Sequence, residues 1–343
     1  MRAARGSGPR PDSGSRARYP CALLLALGVL HAGHSVAQIS TSGGLRAEPI
    51  DETLEPQVAG HGSVSVGFLA SMSEGLKVDN DFTAPSGTVH SHGLALDLDY
   101  NIADAWTAHI GIPYISNKYD GHSNHCPTTA APGCANRPAL SPQHPESQFL
   151  DDGEYHSTWQ NWSLGLAYQT NVHDYVITPS VTAYIPSHDY TFFANAAVGQ
   201  DIWFLEFAAT LAHQLELSNI YYRIGYGYVF SERVLDTTVS HSKVNLEIGY
   251  FVNDHLSVRA FGIGRVGHGY AAGILVPLTQ GNTNEYWYHH DQISEHNYFG
   301  AGLGLDYEFN PLYTLTASAQ RLVWGQTVFD FKYATEIRLT RRF

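Results

Sequence analysis

The sequence predicts an all-β protein, a transmembrane antiparallel up-and-down β-barrel of about twelve strands. Three observations predict it. Runs of alternating apolar and polar residues recur along the chain, short and long connections alternate between these runs, and the composition is rich in aromatic residues and glycine. The 343 residues include 21 Tyr, 15 Phe, 6 Trp and 32 Gly, whereas only 15% are charged. The mean hydropathy is low, at −0.19, because each such strand averages an apolar face with a polar one.

The amino-terminal residues 1–37 are predicted to form a secretory signal peptide. Five arginines precede a short apolar run, Cys21–Leu30, and Ser35 and Ala37 then supply the small residues that a signal peptidase requires. A transmembrane helix would need roughly 20 apolar residues, about twice the length of this run. We therefore expect this segment to be removed on export.

The expected mature chain starts at Gln38. It opens with a short polar segment, residues 38–60, and continues as a barrel over residues 61–343. The whole chain carries 32 acidic and 19 basic residues, and five of the basic residues lie in the signal peptide. Because nucleic-acid binding requires a basic face, this charge balance argues against a nucleic-acid partner.

Each predicted strand has an apolar face and a polar face, because successive residues of a strand point to opposite sides. In residues 106–116, for example, Trp106, Ile110 and Tyr114 share one face and His109 lies on the other. The twelve strands are predicted over residues 61–72, 88–100, 106–116, 156–169, 175–185, 203–214, 219–230, 241–252, 255–265, 295–309, 313–324 and 328–343.

The lengths of the connections distinguish a membrane barrel from a soluble sandwich. The connections after the even-numbered strands are short turns, at residues 101–105, 170–174, 216–218, 253–254 and 310–312. The connections after the odd-numbered strands are mostly long, and they include residues 117–155, 186–202 and 266–294. Membrane barrels sort their connections in this way, with tight periplasmic turns and long external loops. A soluble sandwich has no reason to do so.

The last predicted strand ends on an aromatic residue, Phe343. In this the chain resembles bacterial outer-membrane barrels, in which the terminal aromatic residue is read by the barrel assembly machinery. The resemblance implies a place in the outer membrane of a Gram-negative cell, with outer-membrane lipid and the assembly machinery as partners.

The polar face of the predicted strands carries charges of both signs. Charged side chains that faced lipid would cost about 2–4 kcal/mol each near the bilayer midplane, so we predict that this face lines the lumen. The charged lining residues are Asp97, Asp99, Glu206, Arg223, Lys243, Glu247, Arg259, Asp306, Glu308, Asp330, Lys332, Glu336 and Arg338. They form a candidate path for a small-molecule solute. In the alternative interpretation they pair across strands and plug a narrow barrel.

Four glycines share the lumen-facing phase of the strands: Gly225, Gly227, Gly302 and Gly304. Because glycine has no side chain, these positions would leave space beside the wall. This favours a passage over a plug.

Two cysteines follow the signal peptide, Cys126 and Cys134, with Pro and Gly between them. So close a pair in an exported protein predicts a disulfide, here within the external loop 117–155. A metal site would need further ligands. His122 and His125 lie beside the pair, but the disulfide is the preferred interpretation.

Histidines begin four of the even-numbered strands at the predicted outer rim: His92, His156, His241 and His296. His289 and His290 lie in the connection 266–294. A ring of histidines could bind metal or respond to pH. The strand phase, however, places two of the four on the lipid side and two on the lumen side. We therefore interpret them as solvated rim residues and expect no metal and no cofactor.

An enzyme built on this barrel would need a serine and a histidine on one face, with a carboxylate or an amide to orient the histidine. The candidate pairs are adjacent in sequence and so point to opposite faces: Ser91 with His92, His156 with Ser157, and His241 with Ser242. We predict no catalytic residues and do not expect an enzyme.

Several short glycine-rich and aromatic motifs carry a further resemblance. They are Gly111-Ile-Pro-Tyr114, residues 184–190, Gly249-Tyr250 before the turn at Asn253-Asp254, and residues 296–307. In these motifs the chain is similar to the transporter-like barrels grouped with the MetA pathway of phenol degradation, and more remotely to long-chain fatty-acid transporter barrels. The resemblance spans most of residues 61–343.

This resemblance implies an outer-membrane channel that passes small organic solutes, aromatic or hydrophobic ones among them. It carries no agreed catalytic residues. Two other functions stay open, namely a structural or adhesive barrel without a conducting pore and a lipid-active enzyme.

Overall fold

The computed structural model describes residues 57–78, 81–122, 125–126, 144, 147–268 and 285–343. Two short helices lie in one connection, α1 (Glu285–Tyr288) and α2 (His290–Ile293). Within the described ranges neither helix is long or apolar enough to cross a bilayer. The strands are β1 (Gly62–Lys77), β2 (Thr83–Ala103), β3 (Trp106–Asp120), β4 (His156–Trp159), β5 (Trp162–Tyr168), β6 (Thr170–Val172), β7 (Tyr175–Ile185), β8 (Phe204–Gln214), β9 (Ile220–Ser231), β10 (Arg233–Val234), β11 (Thr237–Thr238), β12 (His241–Asn253), β13 (Leu256–Gly267), β14 (Asn297–Asn310), β15 (Tyr313–Gln326) and β16 (Val328–Arg342).

Twelve wall strands close into one antiparallel barrel. β4, β5 and β6 together occupy one wall position, because β4 and β5 both pair with β3 while β5 and β6 both pair with β7. The sheet closes where β1 pairs with β16, from Ser63 opposite Arg342 to Lys77 opposite Val328. β10 and β11 form a separate hairpin between β9 and β12. Closure removes the free sheet edges, which is the condition for a sheet to span hydrocarbon.

The predicted fold class is therefore confirmed. Each of the twelve predicted strands overlaps one wall strand, and from the fourth strand onward the boundaries agree to within three residues. The first three strands extend further than predicted at their long-connection end, where β1 and β2 continue as a hairpin. The pattern of alternation locates the strands well because every wall strand separates lipid from lumen.

The outer face of the wall is apolar, with large exposed side chains such as Phe68 and Leu303. Aromatic side chains collect at both ends of this face. The short-turn end carries Tyr100, Trp106, Tyr168, Tyr175, Tyr250, Tyr307, Phe309 and Phe343. The long-connection end carries Trp159, Trp203, Phe230, Trp324 and Tyr333. Such belts mark the two interfaces of a bilayer, so the architecture is that of an outer-membrane protein.

The alternation of faces changes phase once along β16. From Ala334 onward the even-numbered residues point inward. A bulge lies where Met72 pairs with Tyr333 but the next residue of β1 pairs with Phe331. Beyond this bulge Phe331 is buried and Lys332 is exposed.

The connection between β7 and β8 folds into the long-connection opening of the lumen, which we call the outer mouth. Its residues 190–202, here named the inward segment, are largely buried. Ala194, Ala196 and Ala197 belong to one apolar cluster with wall residues, among them Tyr119 of β3 and Phe329 of β16. The amide of Asn117 donates to the carbonyl of Ala197 (2.8 Å). The inward segment is therefore packed against the wall.

Residues 1–56 lie outside the described residues, and with them the predicted signal peptide and most of the polar segment 38–60. Residues 57–60 are held at the short-turn end. There the backbone N–H of Ala59 donates to Asp104 (3.0 Å), and the amide of Asn101 donates to Gln57 (2.9 Å). Cys134 also lies outside the described residues, so its disulfide with the buried Cys126 stays a prediction.

Candidate functional site in the barrel lumen

The first group of lumen charges surrounds Arg338 of β16. Its guanidinium donates to Asp97 of β2 (2.9 Å), to Glu336 (2.9 Å) and to the hydroxyl of Ser65 in β1 (3.2 Å). The three charged side chains are at most 1% exposed. One guanidinium thus links three neighbouring wall strands.

A second group crosses the four neighbouring strands β9, β12, β13 and β14. Arg223 donates to Glu247 (3.0 Å), and Arg259 lies 3.5 Å from the same carboxylate. Arg259 also pairs with Asp306. The charges therefore alternate in sign from strand to strand. Gly304 leaves room for this pairing, because a Cβ there would lie 2.9 Å from Nε of Arg259.

A third group centres on Glu206 of β8. Lys243 of β12 donates to its carboxylate (3.1 Å), and so does the hydroxyl of Tyr184 in β7 (2.6 Å). A Cβ at Gly227 would lie 2.7 Å from Oε1 of Glu206. The space expected beside Gly227 and Gly304 is therefore filled by charged side chains rather than left open.

Sequence reasoning missed a hydrogen-bonded series in β2, β3 and β5. Asp99 Oδ1 lies 2.8 Å from His109 Nδ1, and His109 Nε2 lies 3.1 Å from Ser163 Oγ. This order of carboxylate, imidazole and hydroxyl is the one that serine hydrolases use. Ser163, however, is only 1% exposed, and its strand is paired on both sides. The series therefore forms part of the buried polar network of the lumen.

A second serine and histidine pair lies at the outer rim, where Ser242 Oγ is 2.7 Å from His268 Nε2. Adjacency in sequence does not reveal this pair, because the two residues are brought together by the pairing of β12 with β13. Among the described residues, no carboxylate or amide hydrogen-bonds to Nδ1 of His268.

The remaining predicted lining residues divide between lumen and surface. Glu308 is buried. Lys332 lies elsewhere than expected, because the bulge in β16 reverses its direction; it is exposed and pairs with Asp330 (2.8 Å). Arg265, which the sequence reasoning did not include, is 1% exposed and shares the inward face of β13 with Arg259. Alternation along β13 from Arg259 through Phe261 and Ile263 assigns Arg265 to the lumen face as well.

Acidic side chains outnumber basic ones in the part of the lumen that the structure describes. Among the buried and nearly buried charged side chains, seven are carboxylates and five are Lys or Arg, and the two sets together come from seven of the wall strands. The acidic residues are Asp97, Asp99, Glu206, Glu247, Asp306, Glu308 and Glu336, and the basic residues are Arg223, Lys243, Arg259, Arg265 and Arg338.

At the outer mouth, Asp151 joins the connection after β3 to the inward segment. Its carboxylate is 1% exposed and accepts from the backbone N–H groups of His125 (2.8 Å) and Ala196 (2.9 Å). It also accepts from the side-chain amide of Asn195 (2.8 Å) and lies 3.1 Å from His125 Nδ1. Burial alone would raise the pKa of Asp151, but these hydrogen bonds and the charge of His125 hold it below its ordinary value.

His125 meets His290 and Asp291 beside this carboxylate. The two imidazole rings are stacked at 5.0 Å, with their Nε2 atoms 3.2 Å apart, and His290 Nε2 lies 3.2 Å from Asp291 Oδ1. Burial raises the pKa of Asp291 to about 7, with His125 opposing and Asp151 adding to the shift. Burial would lower the pKa of His125, but its hydrogen bond with Asp151 and the nearby charges of Asp291 and Asp151 raise it.

The histidines expected at the rim are not gathered into one site. His92 is exposed, stacks on Phe68 and makes a tilted contact with Tyr155, whereas His241 and His296 are buried. One pair that does meet, His125 with His290, joins two connections that lie far apart in the sequence. No periodic signal marks such a contact.

An aromatic cluster borders the mouth. Tyr288 stacks on His144 at 3.8 Å and contacts Phe192 at 5.0 Å between ring centroids, and Phe192 stacks on His289 at 5.4 Å. A cavity of about 220 Å³ lies nearby, between β4 and the start of the inward segment. Its lining includes His156, His188, Asp189 and Tyr190. The mouth thus combines aromatic rings with acidic groups.

No family model matches this chain, and no curated protein matches it in sequence. Among solved structures it is similar to the COG4313 outer membrane channel from Pseudomonas putida F1, with 12% identity and a TM-score of 0.62 over 87% of this chain and 100% of the other. The β domain of the Bordetella autotransporter BrkA gives 10% identity and a TM-score of 0.47 over 83% and 100%. The KdgM porin in complex with disordered oligogalacturonate gives 7% and 0.40 over 81% and 98%. The first similarity shows a shared barrel fold.

Proposed function

We propose that this chain is an outer-membrane channel for small organic cations and that the lumen ion pairs form its selectivity lining. The observation that carries the proposal is the ionic lumen, with charged side chains on seven of the twelve wall strands. Buried ion pairs seldom stabilise a protein more than apolar packing of the same volume would. Stability alone therefore does not explain these ion pairs, and a path for a charged solute would give them a function.

The preference for cations follows from the excess of carboxylates. The described lumen holds more acidic than basic side chains, and Asp151 and Asp189 add acidic groups at the outer mouth. In a narrow lumen of low dielectric, an excess charge acts far more strongly on a passing ion than it would in bulk water. A cation should therefore enter more readily than an anion of the same size.

The aromatic cluster supports an aromatic or otherwise apolar group on the solute. Phe192, Tyr288 and His289 could stack against a ring, and aromatic faces also attract cations. This part of the proposal agrees with the resemblance to the transporter-like barrels grouped with the MetA pathway. The ionic wall below the mouth favours solutes that carry charge over purely hydrophobic ones.

A structural barrel without a pore is the second candidate, and the burial of the ion pairs favours it. The side chains of Arg338, Asp97 and Glu336 are almost inaccessible to solvent, and the charged groups occupy the space beside Gly227 and Gly304. In that case the pairs would serve as a fixed plug.

The two candidates are separated by transport measurements on the full-length folded protein. In proteoliposomes, benzylammonium should enter faster than benzoate, which has nearly the same size and the opposite charge. In planar bilayers under a KCl gradient, the reversal potential should show a preference for K⁺. Arg259→Glu should strengthen that preference, whereas Arg233→Glu, in the exposed β10–β11 hairpin, should leave it unchanged.

An anion preference in the native protein would contradict the proposed solute class. Complete absence of conductance and of solute uptake, from a protein shown to be folded by a heat-dependent shift in electrophoretic mobility, would establish the structural barrel instead.

A further inference from the structure

The cluster of His125, His290 and Asp291 has the geometry of a metal site. One ligand atom from each residue can be chosen so that all three lie within 4.8 Å of one another, and all three residues are buried. The Nε2 atoms of the histidines are 3.2 Å apart, and Asp291 Oδ1 is 3.2 Å from His290 Nε2. Two nitrogens bound to one tetrahedral zinc ion at about 2.05 Å are separated by about 3.3 Å. The observed spacing therefore matches a shared ion.

Asp151 supplies the support that metal-binding histidines usually have. A histidine ligand commonly donates its second ring nitrogen to a carboxylate, which fixes the ring and leaves the first nitrogen for the metal. Asp151 Oδ2 lies 3.1 Å from His125 Nδ1 and is itself held by backbone and amide donors from the inward segment. His125 Nε2 is thereby directed at His290.

Asp291 also has an oxygen atom that no described protein group satisfies. Its Oδ2 atom is buried without a hydrogen-bond partner among the described residues. A buried carboxylate oxygen left in this way is costly, and a bound cation removes the cost. A hydrogen bond between the two imidazoles would account for the Nε2 contact but not for this oxygen.

We propose that His125, His290 and Asp291 bind one divalent transition-metal ion, with zinc as the best fit, at the outer mouth of the barrel. Two imidazole nitrogens and one carboxylate oxygen suit zinc and leave a fourth position for water or another ligand. The ion would join the connection after β3 to the connection after β13. In the order of the wall strands these two connections lie on opposite sides of the barrel. A single ion would therefore link connections on opposite sides of the outer mouth.

Metal binding is tested on the full-length protein, folded in detergent and stripped with a chelator. Titration with Co²⁺ should produce the visible bands of a four-coordinate site, saturate at one ion per chain and be reversed by Zn²⁺. X-ray absorption of the zinc form should show imidazole ligands without sulfur. Absence of binding by the native protein, or sulfur ligation, would overturn the proposal without recourse to any variant.

Variants then assign the ligands. His290→Gln and the isosteric Asp291→Asn should each weaken Co²⁺ binding by about tenfold or more, since loss of groups at metal sites has effects of this order. His289→Gln is the matched control, because His289 is the adjacent histidine and lies outside the three-residue cluster. It should retain native affinity. Equal affinity in the native protein and His290→Gln, or equal loss in His289→Gln, would show that the ion binds elsewhere.

Discussion

Arg338 shows how the lumen holds its charges together. One guanidinium pairs with two carboxylates, Asp97 and Glu336, where almost no solvent reaches any of them. Attraction between such groups is strong because the surroundings are of low dielectric, but each group has also lost its hydration. The balance is therefore sensitive to the removal of any one partner.

Replacement of Arg338 by Met should lower the free energy of unfolding by about 3–5 kcal/mol, because two buried carboxylates lose their counter-charge. Urea unfolding of the folded protein in lipid vesicles would measure this. Arg233→Met, on the exposed hairpin, is the control and should change little. The triple variant Arg338→Met, Asp97→Asn and Glu336→Gln should recover part of the loss. Native-like stability of Arg338→Met alone would contradict this account.

Asp201, in the inward segment, should make the stability of the mouth depend on pH. Burial raises its pKa from 3.8 to about 7, and the neighbouring Asp189 adds to the shift. Because the folded state favours the protonated carboxyl, its contribution to stability is complete below pH 3.8 and is lost as the pH rises through about 7. The urea midpoint of the native protein should fall over this range. Asp201→Asn should flatten that part of the curve, whereas Asp236→Asn, in an exposed turn, should not.

The face of most charged residues could be predicted from sequence, but their partners could not. Alternation along β2 assigns Asp97 to the lumen, and alternation along β16 does the same for Arg338. That they meet depends on closure of the sheet, which brings together residues 241 positions apart. Lys332 departs from the predicted face because a bulge adds one residue without disturbing the local pattern.

At the scale of elements, the fourth wall strand is the informative exception. It is predicted as one run, residues 156–169, but is interrupted between β4 and β5. There the consecutive residues Gln160 and Asn161 are both buried, and their amides donate to the carbonyls of Val198 and Ile202 in the inward segment. Regular alternation could not predict this interruption of the strand, because it depends on hydrogen bonds to the inward segment, which lies elsewhere in the chain.

Asn161→Ala should loosen the inward segment. The carbonyl of Ile202 would lose its donor, and the hydroxyl of Tyr190, which now donates to Asn161 (2.5 Å), would lose its acceptor. Unsatisfied buried groups of this kind cost about 1–3 kcal/mol each. Faster proteolysis within residues 186–202 would reveal the change. Ser157→Ala, on the exposed neighbouring strand, should leave the cleavage rate at its native value, and an unchanged rate in Asn161→Ala would refute the anchoring role.

The predicted disulfide belongs to the same scale. Cys126 is fully buried beside His125, which Asp151 holds in place. A bond to Cys134 would close a short loop and restrict the unfolded chain. Labelling of the unfolded, unreduced mature protein with a maleimide should therefore detect no free thiol. Two labelled cysteines per mature chain would show that the bond is not formed.

For the whole molecule, the membrane makes the barrel predictable. Strands can span the hydrocarbon core of a bilayer only as a closed sheet with an apolar exterior. The alternation of residues and the lengths of the connections are therefore enough to predict the architecture. The mouth has no such constraint. Its polar cluster unites residues from three connections, and their contacts follow from packing that no local pattern records.

The position of the apolar band can be tested with one charge. Leu303 lies midway along β14 and is 68% exposed on the outer face. Leu303→Arg should reduce the free energy of unfolding in lipid vesicles by about 2–4 kcal/mol. Leu312→Arg is the matched control, since Leu312 is also exposed but lies in a short turn beyond the aromatic belt. Equal effects of the two changes would mean that Leu303 does not face the bilayer core.

The contact between His125 and His290 also bears on the order of assembly. These residues are 165 positions apart, and each belongs to a connection whose flanking strands must first take their places in the wall. Contacts between distant parts of a chain form slowly, because the intervening chain must first be ordered. We therefore expect the mouth to close after the wall has closed. Newly inserted molecules should pass through a stage in which the barrel is complete and its entrance is still uncovered.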